Sequence, residues 1–163
     1  MRKIEGIQKR SLKWVLGEEN VSYSCQSVYF KKCKDVNVLP MCYRFDFIDL
    51  ILLYKIMHGL VQISFPSYLH FYSNQSRLRF CHLDSHSLVC DIIPNTTASQ
   101  DRTTNAFANS FFYRTHLLWN KLPITIRSIP SFFEFKTSLK AHFWNQLNND
   151  LISNNDLSLD SDS

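Results

Sequence analysis

WNKLPITIRSIPSFFEFKTSLKAHFW, residues 119–144, holds two prolines, an arginine and a run of phenylalanines, with no evident catalytic group. Pro123 and Pro130 bracket a corner, KLPITIRSIP, because neither can continue a helix that precedes it. Ser131 followed three residues later by Glu134 is a capping box, in which each side chain satisfies an orphan backbone N–H of a first helical turn. Behind that cap Phe132, Phe135, Leu139 and Phe143 recur at helical spacing, with Lys136 and Lys140 on a flank. The stretch therefore predicts a helix end, a rigid corner and a capped helix, and its residues are architectural.

Working outward, helical spacing predicts a preceding helix over about Asn105 to Lys121. One of its faces carries Phe107, Phe111 and Leu118, another Ala108, Phe112 and Trp119, so this helix belongs in the interior. Arg114 falls on the first of these faces, where a structural pair with a carboxylate is the favoured arrangement. Towards the N-terminus, residues 2–16 predict a helix whose stripe is Ile4, Ile7, Ser11 and Trp14, stopped by Gly17. A second helix is expected from about Ser22 to Lys34. A third runs from near Pro40 to Gly59 and is apolar on several sides. Phe65 to Gln75 is expected to be loop. The alternation of RLRFCHLDSHSLVCDII around Asp84, Ser85, His86 and Ser87 suggests a hairpin, although no favoured two-residue Gly turn is present. The expected fold class is mainly α, an irregular bundle of about five helices with room for a small β-hairpin near residues 77–93. A single helical domain spans 1–147, and 148–163 is an acidic, polar, disordered tail.

Composition narrows the function classes. The 163 residues are 45% apolar and 14% aromatic, enough for a core, while three glycines leave nothing for a Gly-rich phosphate loop. The net charge of +4 hides an asymmetry: the tail holds four Asp and no Lys or Arg, so residues 1–147 carry 18 positive and 10 negative charges. A basic body is compatible with nucleic acid and equally with a solvated surface. The opening MRKIEGIQKR is not a signal peptide, and the apolar run from Phe47 to Met57 is about half of what a bilayer span needs. Five scattered cysteines fit a reducing compartment, cytoplasm or nucleus, better than a secreted disulfide framework.

No Asp-Asp pair, Gly-x-Ser-x-Gly, His-Glu-x-x-His or P-loop is present, which argues against an autonomous enzyme and against a small-molecule substrate or cofactor. Cys81, His82, His86 and Cys90 are the residue types zinc takes, but structural sites pair their ligands two to four residues apart, so buried small hydrophobes account for the cysteines better. For nucleic acid, Lys9, Arg10, Lys13, Arg127, Lys136 and Lys140 are the cations placed to contact phosphates.

Three segments carry a resemblance: IEGIQKRSLKWVLG, LPMCYRFDFIDLILLYKIMHGL and DRTTNAFANSFFYRTHLLWNKLPITIRSIPSFFEFKTSLKAHF, in that order. Glu5, Gln8, Lys9 and Arg10, then Tyr43, Arg44, Asp49, Tyr54, Lys55 and Gly59, and finally Arg114, Trp119, Asn120, Leu122, Pro123 and Arg127 match its pattern. Together they resemble the region that follows the polymerase domain in non-LTR, LINE-type (jockey/CR1-like) retrotransposon reverse transcriptases. Phe45 departs from the pattern, standing where that family often has a second arginine. The resemblance implies an accessory module or remnant of an RNA-directed DNA polymerase that packs against the polymerase and contacts RNA or DNA. It also implies that Trp119, Asn120, Leu122, Pro123 and Arg114 form a structural motif. The catalytic Asp-Asp strand of such polymerases has no counterpart here, so no catalysis is expected of this chain. The alternatives are a helical protein-interaction module without a nucleic-acid role, and a zinc-stabilised binding domain.

Overall fold

The computed structural model describes residues 2–18, 22–23, 25–72, 84–91 and 107–156. Among them are six helices and a two-stranded antiparallel sheet, in the order α1 (Arg2–Leu16), α2 (Gln26–Asp35), α3 (Met41–Met57), β1 (Leu69–Phe71), β2 (Leu88–Cys90), α4 (Phe111–Lys121), α5 (Ile124–Arg127) and α6 (Phe132–Asp156). The protein is mainly helical, as its sequence predicts. The chain divides into two compact units, Met1–Phe47 with Leu139–Ser163, and Ile48–Ser138.

Local chemistry sets the helix ends. α1 closes where Gly17 takes a left-handed φ of 67°, the Glu18 amide reaching the Lys13 carbonyl at 2.9 Å and the Gly17 amide reaching Trp14 at 3.3 Å. α3 repeats the device at Gly59, and α2 does so with Asn37 (φ 53°), one of the few residues besides glycine that tolerates that conformation. Pro40 opens α3 by offering its carbonyl to the Arg44 amide. α4 starts at Phe111, later than Asn105, because Ser110 has extended backbone geometry; Asn105 itself lies outside the described residues.

In the first unit Leu12, Tyr23, Tyr29, Phe30, Cys33, Leu147 and Leu151 form the core. Rings of Tyr29, Phe30, Tyr43 and Phe143 follow one another at centroid spacings of 5.8–5.9 Å. Leu147 and Leu151 correct the expected tail. They continue the buried stripe of Phe135, Leu139 and Phe143 at four-residue steps, so α6 runs through 148–156 because its apolar face still has a core to bury against. Residues 157–163 lie outside the described residues.

The second unit is built around Tyr54, Trp119 and Phe135. Tyr54 stacks on Phe135 at 4.2 Å, Trp119 lies 5.8 Å from the same ring, and the Tyr54 hydroxyl sits against the carbonyls of Ile129 (3.1 Å) and Pro130 (2.7 Å). That contact ties the proline corner to α3. The Ser131 hydroxyl accepts the Glu134 amide at 3.5 Å, one of the two reciprocal bonds of the capping box. The sheet differs from the expected hairpin. β2 falls inside 77–93, but its partner β1 lies in the stretch expected as loop, in the register Leu69↔Cys90, His70↔Val89, Phe71↔Leu88. Leu69 and Leu88, the first residue of each strand, are buried and anchor this short pair.

Thr115, His116 and Trp119 form the buried side of α4. Burial holds the His116 ring below its ordinary protonation range, the nearby backbone of Tyr113 and Phe112 offsetting part of this, and burial acts likewise on His142. As pH falls below about 6.5, the unfolded chain takes up protons at these rings while the folded chain resists. Their contribution is therefore complete above that pH and declines below it. Urea midpoints should fall from about pH 8 to about pH 5, and His116→Leu should remove part of that slope. An unchanged slope in the variant refutes the assignment.

Candidate functional site

The residues of the 119–144 stretch converge on one polar network. The Arg127 guanidinium is 9% exposed. Its Nη2 donates to Asp84 Oδ2 at 2.6 Å, its Nη1 to Ser87 Oγ at 2.7 Å and Asp84 Oδ1 at 3.2 Å, and its Nε to the Leu122 carbonyl at 2.9 Å. Asp84 Oδ1 also accepts the His86 amide at 2.9 Å, which closes the turn before β2. One turn of α4 completes the clamp. Trp119 Nε1 donates to the His86 carbonyl at 2.8 Å, and the Asn120 amide both accepts from the Leu88 N–H (2.8 Å) and donates to the Leu88 carbonyl (2.7 Å). Burial alone would raise the Asp84 carboxyl; the His86 amide, the Arg127 charge and the Ser87 hydroxyl together hold it below the usual carboxylate range. Every polar group of this constellation is taken up by another part of the protein.

Arg127 is thus a correction. Its expected phosphate contact is replaced by a bidentate ion pair, because the corner between the prolines folds inward and a guanidinium there needs a carboxylate. Arg114 pairs with Asp49 at 2.6 Å, the structural arrangement its position in α4 predicts. Lys136 and Lys140 are exposed on α6, the first in the Ile48–Ser138 unit and the second in the other. Lys9 and Lys13 are half-buried, with ammonium groups 4.8 Å and 5.7 Å from the ring centroids of Tyr29 and Tyr23. Arg10 is exposed, its Nε donating to the Gly6 carbonyl at 3.4 Å. The six cations do not form one cluster on a single unit. Of the zinc-type residues, Cys81 and His82 lie outside the described residues, His86 belongs to the clamped turn and Cys90 to β2. Among the described residues no group of three or more His, Cys, Asp and Glu could hold a metal ion.

α1 presents a feature that periodicity located without fixing the way it faces. Ile4, Ile7, Ser11 and Trp14 face outward: Ile7 is 55% exposed, Trp14 76%, and the adjacent Val15 73%. The helix packs inward through its polar side. Gln8 Nε2 donates to the Leu39 carbonyl at 3.0 Å while its Oε1 accepts the Tyr29 hydroxyl at 2.6 Å, and Leu12 is the buried apolar residue between them and Gly17. Tyrosine faces take the lysines that would otherwise point to water. Between the apolar side of α1, the α2–α3 connection and the start of α3 runs an open groove of roughly 460 Å³. Ile7 and Val15 line one wall; Val36, Val38, Met41 and Arg44 line the other.

Comparison of the chain with protein-family models, curated proteins and solved structures finds no significant match. No helix among the described residues is long and apolar enough to cross a membrane.

Proposed function

We propose that this chain is a non-catalytic helical accessory module that acts by docking onto a partner protein. The outward apolar face of α1 carries this reading: three large side chains more than half exposed on one helix are where proteins bind one another. The resemblance to the post-polymerase region of non-LTR reverse transcriptases names the partner class, a polymerase domain of that type. The polar network around Arg127 then serves to keep the module rigid. The free thiols of Cys25, Cys33 and Cys42 support an intracellular setting, cytoplasm or nucleus.

The full chain mixed with a jockey/CR1-type polymerase domain should associate. Binding should fall only modestly between about 50 and about 200 mM salt, and Trp14→Glu should weaken it about tenfold or more. Lack of association, or indifference to Trp14→Glu, overturns the reading. A second reading adds contact with RNA or DNA phosphates and is supported by the exposed heads of Arg10, Lys136 and Lys140. It predicts single-stranded RNA binding that falls steeply over the same salt range; no binding at low salt ends it.

A further inference from the structure

Resting on the docking reading, we propose that the groove beside α1 receives an amphipathic α-helix carrying carboxylates along one edge. Length favours a helix: from Ile4 to Val15 the groove wall runs about 16 Å at 1.5 Å per residue, room for about three turns and for anchors at i, i+3 or i+4, and i+7. Strand addition needs a sheet, and the described residues of the groove's own unit include no strand.

The polar groups of the groove select the charge. Gln8 is satisfied by Leu39 and Tyr29, and the Ser11 hydroxyl donates to the Ile7 carbonyl at 3.1 Å, so neither asks anything of a ligand. Among the described residues Arg44 is the one ionised side chain lining the groove, and it is exposed with no partner there. Glu5, the one acid of α1, does not line the groove. An apolar floor with the Arg44 guanidinium on its wall complements a helix bearing Leu- or Phe-type anchors and a flanking Glu or Asp. A second copy of this face would instead set arginine against arginine, which like-charge repulsion disfavours.

The test uses the full chain and three labelled, designed helical peptides about five turns long, with identical leucine anchors and an edge of Glu, Gln or Lys. Fluorescence anisotropy should rank them Glu, then Gln, then Lys, with about tenfold or more between the extremes. Arg44→Glu should reverse the order, and Ile7→Glu should abolish binding of all three. Both positions are exposed, so unchanged thermal unfolding in each variant is the folding control. Equal affinity for the Glu and Lys peptides overturns the charge selection and leaves the docking reading standing. No binding of any peptide overturns the proposal, while the docking reading is then decided by Trp14→Glu, since Trp14 does not line the groove. Sedimentation showing a dimer that Ile7→Glu dissociates assigns the groove to a second copy and overturns the proposal.

Discussion

Trp119→Ala is expected to cost the Ile48–Ser138 unit about 3–5 kcal/mol, the range for removing a buried large aromatic. Trp119 is 1% exposed, it packs on Phe135, and its indole N–H is the donor to the His86 carbonyl. Truncation removes the ring contacts, leaves a cavity and orphans that carbonyl at once. Small domains are stable by about 5–15 kcal/mol, so this single change takes a large share of the total. Urea unfolding of the variant should show an early transition, and the Tyr72 amide, which bonds the Ser87 carbonyl, should lose protection from hydrogen exchange. Trp119→Phe keeps an aromatic ring but loses the donor and part of the indole's volume, so it should cost less than Trp119→Ala, about 1–3 kcal/mol. A Trp119→Ala midpoint equal to the parent's contradicts the clamp.

The second large effect lies at Asp84. Asp84→Ala leaves the Arg127 guanidinium buried against only the Ser87 hydroxyl and the Leu122 carbonyl, and an uncompensated buried charge costs about 3 kcal/mol. Adding Arg127→Met should restore part of the loss, because the charge is then gone as well; a double variant less stable than Asp84→Ala refutes the pairing. Acid adds a second readout. The folded carboxyl titrates below its unfolded value, so its contribution is complete above about pH 4 and disappears as pH falls through the lower, folded value. The parent should therefore lose stability in that window more steeply than Asp84→Ala.

Much of this architecture was legible in the residues. Gly17 and Gly59 end their helices because the left-handed cap has a residue preference that sequence displays, and Ser131 with Glu134 marks a helix start for a similar reason. The α6 stripe followed from spacing alone. Other features depend on partners far along the chain. Nothing near Arg127 announces Asp84, and the Pro- and Tyr-rich stretch around Leu69 gives no sign that it pairs with Leu88–Cys90. The Asn- and Asp-rich composition after Leu147 hid one leucine, Leu151, at the step that keeps α6 going. Periodicity found the apolar stripe of α1 but could not say whether the fold or a partner would cover it, since both impose the same spacing.

The division of the chain has a consequence for its synthesis. The Ile48–Ser138 unit is one continuous segment, so all its contacts become available as soon as the start of α6 has been made. The other unit is assembled from two segments, and its core waits for Leu147 and Leu151. While the intervening residues are translated, Leu12, Tyr29, Phe30 and Cys33 lack the helix that covers them, and the apolar side of α1 is bare as well. A nascent chain in that state is a substrate for chaperones that hold exposed apolar segments. A released chain truncated just before Leu147 should keep a protease-resistant middle and have a protease-sensitive N-terminus.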